Sequence, residues 1–280
     1  MLLGKSLVSG YDHFNLLGFN SPQLCCGEIH FKREKNRGRN RIKKDYIKAL
    51  QKYDLPTIAN AIEIFNIRPR IEGFMSPDIK CILPYEKTFI GYASTARISS
   101  LNPPKKNQKN LELQYYKTVR DTFKPTIAII EDIDCPPIGS YWGEIKISIH
   151  KALGCIATIT NGGVRDLTEV EKIGFGYFAN CVLVSHGYVR IIDYNCPVKV
   201  GGLLIKPGDL ICADMHGVIS IPLSVAPKLA RICQKIQYSE KPVLEKCSQY
   251  FTQGLKGLIS INEIKKVLDE MQQRKPKMVK

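Results

Sequence analysis

Two short stretches combine acids, an arginine and glycines in a pattern suited to chemistry. One is Gly143-Glu144, reached through Cys135-Pro136-Pro137-Ile138-Gly139-Ser140; the other is Asn161-Gly162-Gly163 leading into Val164, Arg165 and Asp166, with Glu169 just beyond. If a helix starts at Glu144, its unpaired backbone N–H groups and its dipole offer a place for a carboxylate or phosphate. An arginine can clamp a carboxylate through two hydrogen bonds, while a neighbouring aspartate holds a hard divalent cation that takes one or two carboxylates plus waters and substrate oxygens. Taken alone, Arg165-Asp166 also reads as a surface ion pair with an acid at a helix start, and Glu144 as an ordinary first-turn acid. The chain has no His-rich cluster and no CxxC pair, so Mg²⁺ or Mn²⁺ suits it better than zinc.

The elements that must position these residues follow from periodicity. PTIAIIEDID and CIATITNGG are continuous apolar runs, the mark of strands buried on both faces of a parallel sheet. Between and after them, YWGEIKISIHKALG and VRDLTEVEKIG carry helical spacing and close at Gly154 and Gly174. The order from Ile127 to Gly174 is therefore a βαβα unit, and ligands in such sheets bind outside the carboxyl ends of the strands. Upstream, YIKALQKYDLPTIANAIEIF predicts two short helices broken at Pro56, KCILPY and KTFIGYASTARISS predict strands, and Leu111 to Phe123 predicts an amphipathic helix. From Gly176 onward, GYFANCVLVS, YVRIIDYN, CPVKVGG, LLIKPGDLICAD and HGVISIP predict an antiparallel meander, and LSVAPKLARICQKIQ and ISINEIKKVLDEMQQ predict terminal helices.

Composition sets the outer bounds. With 280 residues, 44% hydrophobic and 24% charged, the chain is globular in type and excludes collagen-like and largely disordered classes. It has no run of membrane-spanning length and no signal peptide is read at its start, so no membrane partner is expected. Most of the 10 cysteines sit singly in apolar runs, which points to reduced, buried thiols and a cytoplasmic setting. The net charge of +15 is concentrated at the ends: Lys32 to Lys44 holds eight basic residues and one acid, and Arg274 to Lys280 holds four more and no acid. The first run reads as a flexible arm or as an electrostatic contact for nucleic acid or an anionic surface.

The stretch WGEIKISIHKALGCIATITNGGVRDLTEVEKIGF resembles the RraA-like family, which includes class II 4-hydroxy-4-methyl-2-oxoglutarate aldolases and the regulators of ribonuclease E activity A. A glycine-acid pair, an Arg-Asp pair about twenty residues on and a following acid make the pattern, here met by Glu144, Arg165, Asp166 and Glu169. A second block, CPVKVGGLLIKPGDLICADMHGVISIP, is similar to the family's meander, and weaker likeness through DLPTIANAIE and IGYASTA extends the resemblance over about residues 46 to 245.

The resemblance implies an α/β fold of the three-layer β/β/α swivelling-domain type. It divides the chain into a basic extension (1–43), a catalytic domain (44–245) and a C-terminal helical extension with a basic tail (246–280). It also implies a substrate-binding turn at Gly143, Glu144, Ile145 and Lys146, a 2-oxo-acid-binding arginine at Arg165 and a metal-binding aspartate at Asp166. Arg165, Glu144 and Asp166 would form the catalytic set, with Glu144 holding a water as base in place of the family's usual aspartate. Lys146 stands where the family has a small or apolar residue. The implied activity is metal-dependent retro-aldol cleavage of 4-hydroxy-4-methyl-2-oxoglutarate, with oxaloacetate decarboxylation at the same site, in a trimer or hexamer. The other reading is a non-catalytic regulator that binds and inhibits a ribonuclease or helicase. His150 is expected in a structural or exposed role, His216, Asp209 and Asp214 in turns, and Trp142 in packing.

Overall fold

A computed structural model describes residues 42–103, 109–251 and 257–277. The expectations for residues 1–41, most of the basic run included, lie outside these. In chain order the elements are α1 (Lys44–Leu50), α2 (Leu55–Glu63), β1 (Lys80–Cys81), β2 (Phe89–Ser99), α3 (Lys109–Asp121), β3 (Thr126–Asp132), α4 (Glu144–Ala152), β4 (Cys155–Val164), α5 (Leu167–Ile173) and β5 (Gly176–Val182). Then follow β6 (Arg190–Tyr194), β7 (Val198–Val200), β8 (Leu203–Ile205), β9 (Leu210–Asp214), β10 (Gly217–Ile221), α6 (Ala226–Phe251) and α7 (Ile261–Arg274).

Eight strands form one mixed sheet in the order β1-β5-β4-β3-β2-β9-β10, with β6 paired to the end of β2. Strands β2, β3, β4 and β5 are mutually parallel, joined by α3, α4 and α5. Along β2 the side chains alternate between two faces, as strand geometry requires. Ile90, Tyr92, Ala96 and Ile98 face the helices, whereas Phe89 and Ala93 face the small β7–β8 hairpin, whose Val198, Val200 and Ile205 close the opposite side. Helix, large sheet and small sheet are the three layers of a β/β/α fold. All helices that pack on the sheet do so on one face: α3 to α5 cover the parallel strands, and α1, α2 and α6 cover the part built by β2, β9 and β10.

Three expectations change. The break between the first two helices falls at Lys52–Asp54, and Pro56 opens α2, where Asp54 caps the start by accepting from the Thr57 N–H at 3.0 Å. Proline lacks the N–H that a first turn leaves unpaired anyway, so it belongs there. The GYFANCV segment is not part of a meander: as β5 it pairs parallel to β4, because α5 carries the chain back across the sheet. The remaining short strands are antiparallel as expected, β7 with β8 and β9 with β10, but they do not make one continuous meander. β6 lies against the end of β2, β9 against its start, and the β7–β8 hairpin leaves the sheet altogether.

Ile42, read from sequence as part of the basic extension, is buried in the core formed by α1, α2 and α6, and its N–H donates to the Tyr92 hydroxyl at 2.9 Å. At the other end α6 runs to Phe251, past the stretch marked by periodicity, and α7 packs back on it. Ser260 and Glu263 close a capping box at the start of α7, and Lys246 bridges to Glu263 at 2.8 Å.

Candidate active site

Parallel pairing of β3 and β4 sets their carboxyl ends side by side, so the loop after β3 and the turn after β4 meet. The meeting is made by backbone. Trp142 forms a parallel bridge with Val164, and the Arg165 N–H donates to the Trp142 carbonyl at 3.2 Å. Ser140, buried, has its hydroxyl 2.7 Å from the Trp142 carbonyl and 2.9 Å from that of Gly163. On the far side, the Tyr177 hydroxyl of β5 donates to the Arg165 carbonyl at 3.0 Å. Residues 140–142 thus lie along the end of β4 and deliver Gly143 to the Arg165-Asp166 pair.

Gly143 is the N-cap of α4, with extended backbone open to any residue, so space and not conformation demands glycine here. A Cβ at this position would lie 2.5 Å from Asp166 Oδ2 and 3.2 Å from Arg165 Nε. Asp166 has φ 57° and ψ 46°, a left-handed conformation that Asp and Asn tolerate better than other side chains. That turn aims its carboxylate back at α4, where Oδ2 accepts the Glu144 N–H at 2.9 Å. The other oxygen, Oδ1, is 3.9 Å from Arg165 Nε. Helical geometry gives the Ile145 and Lys146 N–H groups no acceptor within α4, and a glycine N-cap offers no side chain to either.

The sequence-derived residues therefore fall into two groups. Gly143, Arg165, Asp166 and the backbone of Glu144 are brought together within hydrogen-bonding reach or van der Waals contact. The side chains of Glu144 and Ile145 are turned to solvent, and Glu169 is an exposed first-turn acid of α5. Lys146 points away from the turn: its ammonium bonds to Glu112 on α3 and lies 5.1 Å from the Tyr141 ring centroid. Only its backbone is offered to a ligand. Glu112 itself went unnoticed in the sequence, where an acid on the polar side of an amphipathic helix looks like any other.

Behind the turn lies a buried aromatic group. Trp142 is fully buried, with its ring centroid 4.6 Å from that of His150 and 5.2 Å from that of Tyr141. His150 Nδ1 lies 2.6 Å from the Lys146 carbonyl, which only accepts, so Nδ1 carries the proton and Nε2 accepts from the Tyr115 hydroxyl at 3.3 Å. Burial pushes the His150 pKa down to about 4, so the imidazole is neutral. It is a packing residue. Beside the second turn, Asp132 at the end of β3 is buried with Oδ2 lacking a protein hydrogen-bond partner, and burial raises its pKa to about 6. Gly162 leaves room for it, since a Cβ there would lie 2.8 Å from that oxygen. The Asn161 side chain both accepts from the Asp132 N–H and donates to its carbonyl, each at 2.8 Å.

Asp214 has more partners than a turn residue needs: buried, it accepts the Leu55 N–H that opens α2 at 2.7 Å and the His216 N–H at 2.8 Å. His216 pairs with it at 3.1 Å. Among the described residues no three His, Cys, Asp or Glu side chains gather into a metal-holding group, and no helix is long and apolar enough to cross a membrane.

The RraA-like family model, described as Aldolase/RraA, matches residues 56–220. Over 104 residues the chain is 29% identical to Protein DlpA of Legionella pneumophila, a stretch that is 35% of this chain and 16% of that protein. Over 100 residues it is 27% identical to a protein of Halalkalibacterium halodurans named as a putative 4-hydroxy-4-methyl-2-oxoglutarate aldolase, 35% of this chain and 48% of that one. The chain thus spans less than half the length of either relative. In fold it is similar to Streptomyces coelicolor RraAS2, described as an unusual member of the RNase ES inhibitor RraA protein family. That likeness has a TM-score of 0.56 and 16% identity, covering 76% of this chain and 99% of that one.

Proposed function

The chain belongs to the RraA-like family, and from that premise we propose that it is a divalent-metal-dependent lyase of 2-oxo acids. Its proposed reaction is retro-aldol cleavage of 4-hydroxy-4-methyl-2-oxoglutarate to pyruvate, with oxaloacetate decarboxylation at the same site. The observation that carries this reading is the convergence on Gly143: Arg165 Nε and Asp166 Oδ2 both border the space its missing side chain leaves, next to the open start of α4. In this reading the Ile145 and Lys146 amides hold the substrate carboxylate, and the Arg165 guanidinium stands beside the oxygen that gains charge as the enolate forms.

Asp166 suits a hard cation. One of its oxygens is committed to the Glu144 N–H and its side chain is partly exposed, and one or two carboxylates are the usual protein share of a Mg²⁺ site that keeps waters and substrate oxygens. When bound there, such a cation supplies Lewis-acid polarisation of the 2-oxo group. Glu144, exposed at the rim, is the proposed holder of the water that takes the hydroxyl proton in the cleavage reaction. We place the activity in the cytoplasm, in a trimer or hexamer, and in a domain spanning residues 44–245 flanked by extensions at 1–43 and 246–280.

The test is pyruvate release from 4-hydroxy-4-methyl-2-oxoglutarate and from oxaloacetate, with Mg²⁺ or Mn²⁺ and then with EDTA. Turnover is expected with metal only, and Arg165→Ala lowers it by about 10²–10³. Asp166→Asn, which keeps the left-handed turn, abolishes the metal dependence together with the activity. Turnover that survives EDTA removes the metal-dependent mechanism, and no turnover under any condition removes the lyase reading and leaves the ribonuclease or helicase regulator as the alternative.

A further inference from the structure

We propose that Glu112, on α3, is a positioning residue that fixes the turn from both sides and so sets its affinity for a carboxylate. The inference rests on the reading of that turn as a carboxylate site. One oxygen of Glu112, Oε1, accepts from three donors: the Lys146 ammonium, the Tyr116 hydroxyl at 3.1 Å and the Tyr141 hydroxyl at 3.1 Å. Tyr141 is where the chain enters the turn and Lys146 is where it leaves. Everything between them, Trp142 through Ile145, is thereby held between two anchors on a single carboxylate of another element.

The carboxylate is itself braced. Tyr116 is four residues along α3 from Glu112, on the same helix face, and its hydroxyl also lies 3.3 Å from Lys146 Nζ. The ammonium sits near two rings, 5.1 Å from the Tyr141 centroid and 5.8 Å from that of Tyr116. An exposed ion pair does little for a fold, but this pair is half-buried, and both of its side chains are held by aromatic neighbours. Its lever is direction. The N–H groups of Ile145 and Lys146 hold a carboxylate only while α4 keeps its angle to Arg165, and a displacement of about 1 Å is enough to cost such a site much of its affinity.

Trp142, the only tryptophan of the chain, is inside the clamped segment and gives a local signal. The experiment titrates the full chain with pyruvate in the presence of Mg²⁺, following Trp142 emission, and measures amide hydrogen exchange over residues 141–147 without ligand. Glu112→Gln is expected to weaken pyruvate binding about tenfold and to raise KM for oxaloacetate by a similar factor, with kcat within about twofold. Exchange over 141–147 rises in the same variant, while its melting temperature stays near wild type. Lys146→Met acts in the same direction, and the double variant adds little to either single one. If Glu112→Gln does not fold, Tyr141→Phe removes one of the three donors alone and gives a smaller shift of the same sign. Wild-type affinity and wild-type exchange in the variants overturn the proposal, as does a loss confined to kcat. If the wild-type chain binds no pyruvate, it is the carboxylate-site reading that fails, and the exchange comparison still decides whether Glu112 holds the turn.

Discussion

His150 and Asp132 flank the two halves of the candidate site, and their protons oppose each other. His150 has its pKa lowered to about 4 by burial, below the ordinary histidine value, so its contribution to stability is present above about pH 6.5 and is lost as the pH falls toward 4. Asp132 is raised to about 6, so the folded state holds a proton that the unfolded chain releases; stability from this group is greatest below the usual carboxylate range and is lost as the pH rises through 6. Each effect is on the order of 3 kcal/mol, and over pH 4 to 6.5 they largely cancel. Urea midpoints should therefore fall with acid in Asp132→Asn and rise with acid in His150→Leu; equal slopes in the two variants would contradict both assignments. Gly143→Ala has a different signature. Its added methyl meets Asp166 Oδ2, and the expected result is a cost of about 1–3 kcal/mol in stability together with a loss of turnover of at least tenfold.

At the level of elements, the parallel unit was readable because its strands are continuous apolar runs and its helices end on glycine. The pairing of β5 was not, since GYFANCV carries the same short, glycine-bounded pattern as the antiparallel strands that follow it, and only the crossover through α5 decides its direction. That Gly143 would meet Arg165 and Asp166 was legible from the two loops that follow adjacent parallel strands. Glu112 was not, because its meaning comes from Lys146 and Tyr141, 34 and 29 residues away, which α3 reaches only after folding. The α6–α7 pair is a separable case. α7 is held by the Ser260–Glu263 box, by Lys246 and Tyr250 on Glu263, and by Arg274 over the Tyr238 ring at 5.0 Å. Ser260→Ala should speed amide exchange across the first turn of α7 and leave β2, β3 and β4 protected; equal loss of protection in the sheet would show that α7 is part of one cooperative unit with it.

At the scale of the whole chain, the excess of positive charge belongs mainly to its two ends, whereas the groups at the candidate site are one arginine and a few carboxylates. The boundary is not purely one of charge: Ile42 sits inside the basic run, yet it is buried in the core formed by α1, α2 and α6. Ile42→Ala should cost about 2–4 kcal/mol, read from a lowered urea midpoint, whereas substitution of the exposed Lys43 should cost almost nothing. The left-handed backbone of Asp166 places two separate demands on one position. A library selected only for soluble expression should return Asp, Asn and Gly at 166, because these three residues tolerate that conformation, while a library screened for the proposed metal-dependent release of pyruvate should return Asp alone. The gap between the two selections separates what this position does for the chain's shape from what it does for its chemistry, and no alanine scan can make that separation.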